Sequence, residues 1–117
     1  MGNRETVTVE CTQVDDIDVL SLEGVLSDDT ITEIREVIEG VIDRGTTRLA
    51  LEMSGVNYIS SAGIGMLVSV KRRSTREGFR LSLCGLNSDL QELFTLTRLD
   101  QVFTLADSVE AWQRSGS

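Results

Sequence analysis

The sequence predicts an α/β fold, a single domain built on a mixed, mostly parallel β-sheet with an N-terminal hairpin and about four α-helices. Two patterns carry this. Segments of period two alternate with segments of helical period in the order ββαβαβαβα. Only the first two strands are joined by a connection too short for the dozen or more residues of a parallel crossover. The length of 117 residues suits one hydrophobic core, and no repeat, low-complexity tract or linker divides the chain.

Val7, Val9 and Cys11 alternate with Thr6, Thr8, Glu10 and Thr12, the pattern of a half-buried strand. The acidic cluster Asp15, Asp16 and Asp18 turns the chain into a second strand, Val19 to Leu26. Ser27, Asp28 and Asp29 then supply an N-cap and first-turn acids to a helix whose apolar face is Ile31, Ile34, Val37, Ile38, Val41 and Ile42. That helix is expected to end at Arg44 and Gly45. A short strand follows from Leu49 to Met53, with Ser54 and Gly55 as a break before Val56, Tyr58 and Ile59.

A second helix is expected to begin at Ser60 or Ser61, with Ile64, Met66, Leu67, Val68 and Val70 inward and Lys71, Arg72, Arg73 and Arg76 complementing the dipole at its C-terminal end, before Gly78. Arg80 to Leu83 reads as a strand. Asn87, Ser88 and Asp89 cap a helix carrying Leu90, Leu93, Phe94 and Leu96; Val102 to Leu105 forms a last strand; Asp107 or Ser108 caps a helix bearing Val109 and Trp112. Residues 114–117 are expected to fray.

Composition narrows the chemistry. The chain has no histidine, which removes Ser-His and Cys-His nucleophiles, His-ligated metals and a near-neutral imidazole base. Its net charge of −8 argues against nucleic acid, whose phosphates need a clustered positive field. Two cysteines, Cys11 and Cys84, without C-x-x-C spacing and without an apolar leader, point to the cytoplasm and to no disulfide framework. No apolar run approaches the ~20 residues of a membrane helix, so direct membrane insertion is not expected. The acidity is uneven: twelve acids face two arginines up to Asp43, whereas seven acids face nine bases from Arg44 onward. This asymmetry reads either as a solvated helix face with an acidic hairpin turn or as an electrostatic half-site for a basic partner.

The segment from Tyr58 to Gly65 breaks local rules. Two serines stand where a helix begins, and Gly63 and Gly65 fall in its first turns, each costing about 1 kcal/mol against alanine. Two compatible readings follow: a serine caps the helix and the glycines allow close packing, or Ala62, Gly63 and Gly65 keep the backbone low so that another molecule reaches Ser60 and Ser61. A dinucleotide fingerprint fails because Val68 stands where its third glycine belongs. A serine nucleophile fails because the only lysine, Lys71, lies ten residues, ~15 Å, along the same helix. There remains a hydroxyl that is acted upon. A phosphate at a helix N-terminus adds about −1.5 to −2 charges where free N–H groups favour an anion, and a docked partner would not tolerate it.

The stretch from Leu51 through Tyr58, Ile59, Ser60, Ser61, Ala62, Gly63 and Ile64 to Gly65 resembles the signature of STAS domains, the fold of bacterial anti-sigma factor antagonists. Leu22-Glu23-Gly24-Val25-Leu26 resembles the second-strand motif and Leu96 to Phe103 the closing stretch, so the likeness spans nearly the whole chain. The resemblance implies partner switching. Unphosphorylated, such a domain binds an anti-sigma factor that is also a serine kinase and so frees a sigma factor. The kinase, using ATP and magnesium on its own side, phosphorylates a serine of this loop, and a serine phosphatase reverses it. On the family's D-S-[ST]-G pattern the acceptor is Ser61, with Ser60 second choice. Ser60 replaces the usual Asp, Ala62 the second hydroxyl residue, Ser27 another Asp and Glu52 a third. The implied docking face comprises Ser27, Ser60, Ala62, Gly63, Ile64, Gly65 and Met66, with no catalytic residue, metal or cofactor of the chain's own. The resemblance also allows a non-switching interaction module in a signalling scaffold or beside a transporter, and the residues themselves allow an enzyme or a small-ligand or nucleotide sensor using the Gly63–Gly65 turn as an anion nest.

Overall fold

The computed structural model describes residues 5–115. Its elements are β1 (Val7–Val14), β2 (Ile17–Leu26), α1 (Ile31–Asp43), β3 (Arg48–Ile59), α2 (Ser61–Glu77), β4 (Arg80–Cys84), α3 (Ser88–Leu96), β5 (Thr104–Ala106) and α4 (Val109–Ser115), with a 3₁₀ turn at Leu99–Gln101. The five strands lie in the order β1-β2-β3-β4-β5; β1 is antiparallel to β2 and all other pairs are parallel.

The central strands are covered on both faces, so consecutive residues are buried in opposite directions. Leu20, Leu49, Leu51, Leu81 and Leu83 point toward α1, α2 and α3, where they meet Ile34, Ile38, Met66, Leu67, Leu90 and Phe94. Val19, Ala50 and Cys84 point the other way, into a smaller core closed by Val109 and Trp112 of α4. Seven residues are a short helix; Trp112, 2% exposed, and its contact with the Arg48 guanidinium at 4.9 Å hold α4 on the sheet.

Several boundaries differ from the sequence expectation, each for a local reason. The hairpin turn is only Asp15-Asp16. Asp18 belongs to β2, where its carboxylate accepts hydrogen bonds from Gln13 at 2.8 Å and from Thr46. The cap of α1 is not Ser27: the boundary residue is Thr30, whose hydroxyl turns backward, accepting from the Ser27 N–H at 3.0 Å and donating to the Val25 carbonyl at 2.7 Å. This knot joins the end of β2 to the start of α1, with Asp28 and Asp29 exposed on its outside. Thr30→Val removes both bonds at a site 1% exposed and is expected to cost about 1–3 kcal/mol in chemical denaturation, with an unchanged midpoint counting against the knot.

Ser54 and Gly55 do not break β3, which runs on to Ile59. The irregularity lies in its neighbour: the β2–β3 register shifts between Ser21 and Glu23 and again between Gly24 and Val25. Gly24, at φ +119°, sits at the second shift with the Thr6 carbonyl where a Cβ would be, and Gly55 lets the Glu23 side chain pass. Leu96 is not packed but 76% exposed, and the last strand begins at Thr104, leaving Val102 in the preceding turn, 43% exposed. Arg114 and Ser115 are helical, the Ser115 hydroxyl donating to the Trp112 carbonyl; Gly116 and Ser117 lie outside the described residues.

Candidate functional site

The chain leaves β3 at Ile59 and enters α2 through Ser60, at the carboxyl ends of the parallel strands. Two bonds fix the entry. The Ser60 N–H donates to the Leu26 carbonyl at the end of β2, 2.8 Å away, and the Ser60 hydroxyl accepts from the Gly63 N–H at 3.1 Å. Ser60 is extended, with φ −83° and ψ 173°, as an N-cap requires. Its side chain is thus consumed by the helix it starts. Ser60→Ala is expected to lower stability by about 1 kcal/mol, measurable as a shift in denaturation midpoint.

Ser61 is the first helical residue and is exposed. The N–H groups of the first helical turn have no intrahelical acceptor, and those of Gly63 and Ile64 are taken by the Ser60 hydroxyl and carbonyl. Those of Ser61 and Ala62 begin the helix, the end at which N–H groups favour an anion. The first turn carries no acid, and the helix has no charged residue before Lys71.

The two glycines have different tasks. Gly63 is buried, and a Cβ there would lie 2.7 Å from the Leu26 carbonyl oxygen and 2.9 Å from an Ile59 methyl, so its smallness lets α2 close on the strand ends. Gly65 is exposed with nothing within 4 Å of a Cβ position. Among the described residues no contact explains a helix-weakening residue there.

Of the residues expected to form a docking face, Ser61 and Gly65 are exposed and Ser60, Ala62 and Ile64 half-buried. Gly63, Met66 and Ser27 are buried, Met66 to 1% and Ser27 to 4%, so any part they take in docking is through support rather than through an exposed side chain. The Ser27 hydroxyl is a buried oxygen with no hydrogen-bond partner among the described residues. Tyr58, expected only as part of the strand ahead of the helix, is 52% exposed three residues before Ser61. An aromatic side chain held open to solvent ahead of the two serines, in a chain only 4% aromatic, was the available signal.

From Ser61 an exposed stripe follows α2 through Gly65, Ser69 and Arg72 to Arg76. The basic cluster does more than complement a dipole. Arg73 hydrogen-bonds Glu77 at 2.5 Å and Asp43 of α1 at 2.7 Å, bonds that raise its pKa above the ordinary value, and the second ties α2 to α1. Gly78, left-handed at φ +83°, closes the helix by donating its N–H to the Ser74 carbonyl. Lys71 is half-buried ten residues beyond Ser61, and burial pushes the Cys84 thiol up, away from thiolate. Among the described residues no cluster of three acidic or cysteine side chains could hold a metal, and no helix is long and apolar enough to cross a membrane.

Similarity to known proteins covers the whole of this arrangement. BtrV of Bordetella bronchiseptica, provisionally named an anti-sigma factor antagonist, is 26% identical over 99 residues, 85% of each chain. The anti-sigma-B factor antagonist of Staphylococcus epidermidis is 25% identical over 108 residues, 92% of this chain and 95% of that one. Among solved structures, the Bacillus cell-fate determinant SpoIIAA in its phosphorylated form superposes with a TM-score of 0.70 at 20% identity, over 92% of this chain and 99% of that one. The sequence pattern of the STAS domain matches residues 4–112, and this chain belongs to the STAS domain family.

Proposed function

We propose that this chain is an anti-sigma factor antagonist whose binding is controlled by phosphorylation of Ser61. Unphosphorylated, it docks through the start of α2 on an anti-sigma factor in the cytoplasm and so releases a sigma factor. That partner is also a serine kinase, with ATP and magnesium on its own side. The Ser61 oxygen attacks the γ-phosphorus of ATP and its proton leaves to the kinase; ADP departs, and the phosphoserine ends the complex. A serine phosphatase hydrolyses the ester and restores the hydroxyl. The chain is the target of this chemistry and contributes no catalytic residue to it.

The observation that carries the reading is the division of labour between the serines: the Ser60 hydroxyl is held by the Gly63 N–H, whereas Ser61 is exposed beside helix N–H groups suited to an anion. The open space at Gly65 supports close approach of a partner backbone. The relatives' names supply the partner class. With the partner kinase and ATP, intact-mass measurement is expected to show one phosphoryl group on the wild type and on Ser60→Ala, and none on Ser61→Ala. Equal gain on Ser61→Ala and wild type would overturn the assignment.

A further inference from the structure

The edge of the sheet lies apart from the serine helix. β1 is an edge strand: among the described residues no strand lies beyond it. Its pairing with β2 is regular over all eight residues. The Val25 N–H donates to the Thr6 carbonyl at 3.1 Å, which fixes the parity of the antiparallel ladder. Thr8, Glu10, Thr12 and Val14 therefore face β2 with their backbone groups, and Val7, Val9, Cys11 and Gln13 present theirs outward.

Such an edge is normally blunted by proline, lysine, a bulge or shortness. β5, at the other edge, has three residues. β1 has eight, reads Val-Thr-Val-Glu-Cys-Thr-Gln-Val, and carries one charge. Beside it runs a groove of about 700 Å³ between β1 and the end of α1, lined by Cys11, Gln13, Asp18, Leu20, Val41 and Arg44. Cys11 and Gln13 share the sheet face of Leu20, so side chains of an added strand on that face would enter the groove, whose lining mixes the buried Leu20 and Val41 with Gln13, Asp18 and Arg44. Those on the other face would stand beside the exposed Thr8, Glu10 and Thr12.

Charge selects the occupant. Residues 5–26 carry six carboxylates, on Glu5, Glu10, Asp15, Asp16, Asp18 and Glu23, and no cation; Arg48 pairs with Asp16 at 3.2 Å and Arg44 lines the groove, so the edge keeps a negative excess. Pairing with a second copy would set these carboxylates against their equals. A strand bearing lysine or arginine meets them with opposite sign.

We propose that β1 is a docking edge for an extended segment of a partner protein in which apolar residues alternate with lysine or arginine, added as a sixth strand. Backbone hydrogen bonds to Val7, Val9, Cys11 and Gln13 hold the segment, its apolar side chains fill the groove and its cations face Glu10 and its acidic neighbours.

The test uses a capped peptide alternating lysine and valine as the probe, with the glutamate–valine peptide as its counterpart. The lysine peptide is expected to slow amide hydrogen exchange at Val9, Cys11 and Gln13 and to leave Thr8, Glu10 and Thr12, already bonded to β2, unchanged. Its affinity should fall by roughly tenfold from low to physiological salt, and the glutamate peptide should not bind. Cys11→Pro removes an outward N–H, keeps the β1–β2 ladder and should abolish peptide binding while the thermal midpoint is retained. Protection at the even-numbered residues or elsewhere, equal binding of the glutamate peptide, or no protection at all in the wild type would overturn the proposal. So would protection of the outward amides by the chain's own concentration without peptide, which would assign the edge to a second copy.

Discussion

Gly63→Ala is expected to destabilise the protein by about 2–3 kcal/mol, a large effect for one methyl group in a position with φ suited to any residue. The added carbon would stand 2.7 Å from the Leu26 carbonyl oxygen and 2.9 to 3.0 Å from side-chain carbons of Ile59 and Leu26. The Leu26 carbonyl is itself pinned by the Ser60 N–H, so relief requires α2 to lift from the strand ends, with loss of the Ser60 anchor. Gly65→Ala, two residues on, is expected to go the other way. It gains helix propensity of up to about 1 kcal/mol in a position with nothing to clash, yet on the proposed docking face it should weaken partner binding. Chemical denaturation of the two variants checks the pair, and equal signs would show that the two glycines are not divided between packing and docking.

Ser61→Asp is expected to separate stability from binding. A carboxylate in the first turn of α2 interacts favourably with the helix dipole, so the free chain should be unchanged or more stable by about 0.5 kcal/mol. The same charge desolvated against a docked partner should weaken the complex by about a hundredfold or more, on the order of 3 kcal/mol. Loss of binding with an intact midpoint places the effect in the interface. Loss of both would mean that Ser61 is a structural residue, and loss of neither would favour a constitutive module.

The order of elements was legible because the period changes cleanly and because Val19-Leu20, Leu49-Ala50-Leu51 and Leu83-Cys84 are continuous apolar runs, the mark of strands buried on both faces. The misread places are those where one side chain had several geometries open to it. Thr30 bonds backward to Val25 instead of Ser27 capping forward, a choice set by how β2 ends. Ser54-Gly55 looks like a turn until the bulged β2 beside it is known. Leu96, one of the four apolar residues expected on α3, is exposed because two residues past Phe94 is about 200° around a helix and therefore opposite it.

In the site, the serines, the cap and the small residues were all visible in the sequence, and Gly63, Met66, Leu67, Val70 and Ser74 already trace a buried stripe at helical spacing. That stripe places Met66 inside, where the family resemblance alone groups it with the docking face. Spacing also puts Gly63 on that stripe and Gly65 off it; what spacing could not supply is the obstacle that demands a glycine at 63, the Leu26 carbonyl, 37 residues earlier in the chain.

The most direct measurement is calorimetric titration of the partner anti-sigma kinase into the unphosphorylated chain and into the chain phosphorylated at Ser61, under one buffer and salt. The unphosphorylated chain is predicted to bind and the phosphorylated chain to bind at least about a hundredfold more weakly. Equal affinities for the two forms would contradict a switch at Ser61.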